Sequence, residues 1–96
     1  MDRCNNEQAA IVRKSVVEDV VAERERQSNL ALAGDTEAFD RSNTRNDWIA
    51  YTNAYTGRAA ERVYRNEREG CTFRANMVKA AALCLAAIEA HDKGYC

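Results

Sequence analysis

The sequence predicts an all-α fold, and three observations carry the prediction. The 96-residue chain contains no proline and only four glycines, so few positions break a helix. Alanine, arginine, glutamate and valine are plentiful. From Met77 to Ala90 only Lys79 and Glu89 are charged. A surface helix shows one apolar stripe, and a helix apolar all round is wrapped by other elements. The remaining chain is therefore expected to pack around this stretch. Three main helices are expected, over about 6–33, 44–69 and 73–92, in one small bundle spanning residues 1–96. A chain this short buries only about 60–65% of its unfolded surface, so a homo-oligomer is also expected to help cover the apolar helix.

The formal net charge is −1, which gives no general pull toward nucleic-acid polymers or anionic membranes. No apolar run approaches the roughly 20 residues of a membrane span, and Met1–Glu7 has no apolar core of a signal peptide. The expected compartment is the cytoplasm, where Cys4, Cys71, Cys84 and Cys96 are free thiols. No two of them have zinc-knuckle spacing, and the single histidine, His91, does not complete such a site.

The first helix is expected to start at an Asn5 or Asn6 cap and to stop at Gly34. Ala9, Val12, Val16 and Val20 form a row that steps on to Glu23 and Gln27. The segment Glu23–Gln27 reads either as solvated charge pairs or as the polar lining of a pocket beneath a valine core. From Gly34 to Asn43 a loop is expected, with Phe39 plugging back onto the core. Its length suits a lid beside the polar end of the first helix.

Thr44 with Asp47 resembles a capping box at the start of the second helix, and Gly70 is its expected stop. Trp48, Thr52, Tyr55, Ala59 and Arg62 share one row. Gly57, mid-helix, costs about 1 kcal/mol relative to alanine, which suggests a close helix crossing or a ligand there. Arg58, Arg62 and Arg65 share one side. They form either a mixed charged surface or, with Tyr51 and Tyr55, a site that stacks a base and clamps a phosphate.

Thr72 is the expected cap of the third helix. Phe73, Met77, Ala80, Ala81, Cys84 and Ile88 form its expected packing row, with Cys84 as a small core residue. Lys79, near the positive end of the helix, either snorkels outward or adds to a field that suits an anion. Glu89 and Asp92 have metal-ligand spacing, although His91 and Asp92 also read as a solvated helix end.

Glu23-Arg24-Glu25-Arg26-Gln27 resembles the Glu-Arg-x-Arg-Gln segment of small phage and prophage proteins related to the MazG-like all-α NTP pyrophosphohydrolases. Phe73–Ala82, continuing through Ile88–Ala90, looks like their closing helix. Together the two matches cover about a third of the chain. The active family binds magnesium through Glu-x-x-Glu on one helix and Glu-x-x-Asp on the next. Aligned on the alanine run, Asn76 and Lys79 stand at the second pair, and Tyr55 and Arg58 fall near the first. None of these four is a carboxylate, and magnesium needs oxygen ligands.

The resemblance therefore implies a scaffold changed from cation to anion binding. The expected function is a non-catalytic, phage-type protein in a bacterial host cytosol, holding a nucleotide or nucleotide-like anion without a cofactor. Trp48 and Tyr55 would stack, Arg58, Arg62 and Lys79 would contact phosphate, and Glu23 and Gln27 would bond base or sugar. One alternative is a protein-binding module that inhibits a host factor. Another is a magnesium-dependent NTP pyrophosphohydrolase with ligands from Glu23, Glu61, Glu89 and Asp92.

Overall fold

A computed structural model of the chain describes residues 3–30, 36–64 and 70–96. All the regular structure in these segments is helical: α1 (Arg3–Leu30), α2 (Thr36–Ser42), α3 (Arg45–Tyr64) and α4 (Gly70–Asp92). The expected stop at Gly34 lies outside the described residues.

The apolar stretch forms most of α4, against which α1, α2 and α3 all pack. Asp19 pairs with Arg74, and Arg24 with Glu89. Residue numbers thus rise together, and α1 and α4 run in the same general sense. Along α3, Arg45 lies near His91, Trp48 near Ala87 and Tyr55 near Lys79. That order makes α3 and α4 an antiparallel pair.

The core is built on small residues. Ala82, Ala86 and Ala90 are essentially inaccessible, and Trp48, at 3% exposure, packs with Leu83 against Ala86 and Ala90. Phe39, Tyr51 and Tyr55 close over this cluster from α2 and α3. Short side chains on α4 let its neighbours approach closely. The cost is a thin core, with no large side chain below 2% exposure among the described residues.

Two helix ends carry caps. The Asp47 amide donates to Thr44 Oγ1 at 3.2 Å, and the Thr44 amide donates to Asp47 Oδ2 at 2.8 Å. This is a capping box with aspartate in the glutamate role. At the other end of the chain, Tyr95 N donates to Ala90 O and Gly94 N to His91 O, both at 2.9 Å. That pair of bonds is the Schellman pattern, and Gly94 takes the left-handed φ of 82° it requires.

Several sequence expectations are corrected. Residues 36–42 are helix α2, not loop. Glu37 in its first turn and Arg41 in its last complement the helix dipole, and Phe39 anchors it as expected. Helix α1 is already running at Arg3, so Asn5 and Asn6 lie within it. Gly70 opens α4 and does not end the preceding helix.

The valine core is absent. Val12 is 62% exposed, and Val16, Val17 and Val21 are also open, with Val20 partly covered. Val16 and Val20 face Phe73, Met77 and Val78 of α4 across a shallow cleft but are not buried by them. The packing row assigned to α4 holds only in part: Ala80 is buried and Met77 and Ala81 are half-buried. Phe73, Cys84 and Ile88 are exposed, while Asn76, Ala82, Leu83, Ala86 and Ala90 face inward. Gly57 is exposed, and a Cβ there would meet nothing within 4 Å, so no helix of the described residues crosses it closely.

Candidate functional site

The polar end of α1 faces the middle of α3 across α4, and the gap between them is a cleft of about 380 Å³. That is within the range of small-molecule sites, roughly 300–1,000 Å³. Helix α1 contributes Arg26 and Gln27, α2 contributes Phe39, α3 contributes Tyr51, Ala54, Tyr55 and Arg58, and α4 contributes Leu83.

The aromatic wall is ordered by ring packing. Phe39 and Tyr51 lie nearly parallel, 20° apart, with centroids 6.2 Å apart. Trp48 meets both edge-on from behind. These are the offset and T-shaped geometries that aromatic quadrupoles favour. Trp48 is consequently a support for the wall, and it is too deeply buried to present a face to the cleft.

The cationic side has three groups. The Arg58 guanidinium lies 4.9 Å from the Tyr55 ring centroid, and Lys79 Nζ lies 5.8 Å from the same ring. Among the described residues neither has a carboxylate partner. Arg26 differs, because its Nε donates to both oxygens of Glu23 at 2.6 and 2.7 Å. That hydrogen bonding raises the Arg26 pKa above its ordinary value, against the opposing effect of desolvation, so the guanidinium stays charged at any physiological pH. Glu23 therefore neutralises Arg26, and Arg58 and Lys79 supply the uncompensated charge. Among the described residues no carboxylate lines the cleft itself.

Gln27 is fixed by its partner. Its Nε2 donates to the backbone carbonyl of Lys79 at 3.3 Å. A carbonyl only accepts, so the orientation of the amide follows. Oε1 is left buried with no donor. Buried polar atoms without partners are uncommon in native structures, and this one belongs to a residue that lines the cleft.

Of the sequence-predicted residues, Gln27, Tyr55 and Arg58 line the cleft. Glu23 joins through Arg26, and Lys79 joins through Gln27 and Tyr55. The Arg62 side chain lies outside the described residues. Arg26, Phe39 and Leu83 are additions that the predicted set lacks. For Arg26 the available signal was its spacing of three from Glu23, which places the two on one helix face.

Two of the four carboxylates named for a magnesium site are engaged elsewhere. Glu23 is held by Arg26, and Glu89 Oε2 accepts from Arg24 at 3.3 Å. The Glu61 side chain lies outside the described residues. Among the described residues no three His, Cys, Asp or Glu side chains converge to hold a metal ion. Likewise, no helix there is long and apolar enough to cross a membrane. No family model, no curated protein and no solved structure matches the chain.

Proposed function

We propose that the chain is a binding protein for a small planar anion of nucleotide chemistry, held in the cleft between α1 and α3. One observation carries this reading. Cations without a carboxylate partner, an aromatic wall and a fixed amide oxygen without a donor converge on one cleft, and none of its described lining residues is a carboxylate. A heteroaromatic ring stacks on Tyr51 and Tyr55. Arg58 and Lys79 take the phosphate, the guanidinium in a bidentate manner. Gln27 Oε1 accepts from an N–H of the ring. These roles need no metal, in keeping with the MazG-like resemblance in which the carboxylate positions carry other residues.

A second reading, association through protein surfaces, is favoured by the uncovered side of the bundle. Phe73, Cys84 and Ile88 on α4, Ile49 on α3 and the valines of α1 are exposed, more apolar surface than scattered single residues explain. In this proposal a second copy covers that side and leaves the anion cleft free.

A thermal-shift screen with nucleotides, with and without magnesium, tests the first reading. A ligand at a hundred times its dissociation constant stabilises the fold by about 2.7 kcal/mol, roughly 10 °C or more for a domain of this size. A magnesium-independent shift supports the anion site. A shift that requires magnesium supports the hydrolase alternative. No shift across the panel removes the nucleotide reading.

A further inference from the structure

The face of α4 turned away from the core cluster carries a pattern of its own. Met77, Ala81, Cys84 and Ile88 follow one another at steps of four, three and four, the spacing of a coiled-coil seam. Cys84 and Ile88 are exposed and Met77 and Ala81 half-buried, whereas Ala80, Leu83 and Ala90 are turned into the fold. The seam has two unlike halves. Its N-terminal half borders a shallow cleft of about 320 Å³, in which Val16 and Val20 of α1 face Met77, Val78 and Ala81, with Arg74 at one end. Its C-terminal half carries a projecting side chain, Ile88, at 58% exposure.

Cleft and projection complement each other between two copies. Ile88 lies ten residues beyond Val78, about 15 Å along the helix. The separation is the same in each copy, so two α4 helices set antiparallel seat both Ile88 side chains at once, each in the other's cleft. That is the self-complementarity a two-fold interface requires. The charges agree with this register. It brings the partner's Asp92 level with Arg74, and Asp92 pairs with no cation among the described residues. A parallel pair would set Ile88 against Ile88 and Asp92 against Asp92, and both clefts would stay empty.

We propose that a second copy of this chain docks antiparallel on α4, with Ile88 of each copy in the α1–α4 cleft of the other. The docking rests on the association of two copies proposed above and fixes its geometry. The two-fold axis falls beside Leu83, one residue from Cys84. With packed helix axes about 8–10 Å apart, the two Cys84 Cα atoms approach to about 5.5–7 Å, at the upper end of what a disulfide spans.

Two measurements on the full chain test this. Light scattering with the thiols reduced gives the copy number. Oxidation with diamide, a two-electron thiol oxidant, followed by peptide mapping gives the contact. The expected results are the mass of two copies and, as the main oxidation product, a Cys84–Cys84 bridge between them. Val16→Asp, which puts an unpaired charge into the cleft at a position 41% exposed in the single chain, weakens the dimer about tenfold or more. Asp92→Arg, at an exposed helix end, weakens it about threefold or more by facing Arg74 with a second cation. A native chain of monomer mass overturns the association of two copies and this docking together. A dimer whose bridge joins other cysteines, or whose dissociation constant neither variant changes, leaves the association standing and overturns the antiparallel docking.

Discussion

Arg24 ties three helices together. From α1 its Nη2 donates to Asp40 Oδ2 on α2 at 2.8 Å and to Glu89 Oε2 on α4 at 3.3 Å, while Nη1 donates to Ser28 at 2.8 Å. The pair with Asp40 is buried, with side-chain exposures of 14% and 3%. Arg24→Met keeps much of the stem but leaves the Asp40 carboxylate desolvated, with its other oxygen already lacking a partner. Breaking a buried pair in this way costs about 3–5 kcal/mol, a large share of the roughly 5–14 kcal/mol a domain of this length holds. The melting temperature should fall by roughly 15–25 °C, read by circular dichroism at 222 nm. Arg74→Met is the matched control. Its pair with Asp19 is shorter, 2.6 Å, but half exposed on both sides, and such surface pairs contribute less than about 1 kcal/mol. Adding Asp40→Asn to Arg24→Met should recover part of the loss, because the uncompensated charge is gone. If Arg24→Met costs no more than Arg74→Met, burial does not govern this pair and the reasoning fails.

Three other outcomes follow from the same structure. Gly57→Ala should stabilise the chain by about 0.5–1 kcal/mol, since the added Cβ meets nothing within 4 Å; a loss in urea denaturation would reveal a constraint at that turn. Trp48→Ala should cost about 3–5 kcal/mol, and the native tryptophan emission should resist acrylamide quenching, because the indole is 3% exposed; ready quenching would contradict its place in the core. Light scattering at micromolar concentration should give a mass above the monomer, and Ile88→Asp on the open side of α4 should return it to the monomer without unfolding; a monomeric native chain would refute the second-copy reading.

The sequence made local features legible. The Thr44–Asp47 capping box depends on residues three apart, and the pattern is visible without a fold. The importance of α4 was legible in the same way, because a nearly uncharged run must be covered by something. Which side of it is covered was not. A helix apolar on every side has no contrast to read, and the row Phe73–Met77–Ala80–Ala81–Cys84–Ile88, of which Ala80 is buried, looked as fit to be core as the row through Leu83, Ala86 and Ala90. Phe73 and Ile88 stayed outside, while Leu83 is the one large α4 side chain in the core cluster of the described residues. Helix α2 was missed for another reason. Seven residues form a marginal helix by themselves, and this one is held by Phe39 on the aromatic cluster and Asp40 on Arg24, contacts made across long sequence separations. The candidate site was legible in half. Gln27, Tyr55 and Arg58 lie on readable helix faces, whereas Arg26 and Leu83 enter only because α1 and α3 face each other across α4.

The central claim is that the α1–α3 cleft holds a nucleotide-like anion through Arg58, Lys79 and Gln27. Isothermal titration of the purified chain with nucleoside mono- and triphosphates, and with the matching nucleosides, tests it most directly. The account predicts saturable, magnesium-independent binding of the phosphorylated forms, weakened about tenfold or more by Arg58→Gln and much weaker for the bare nucleosides. Absence of binding by every nucleotide, or binding that Arg58→Gln leaves unchanged, would contradict it.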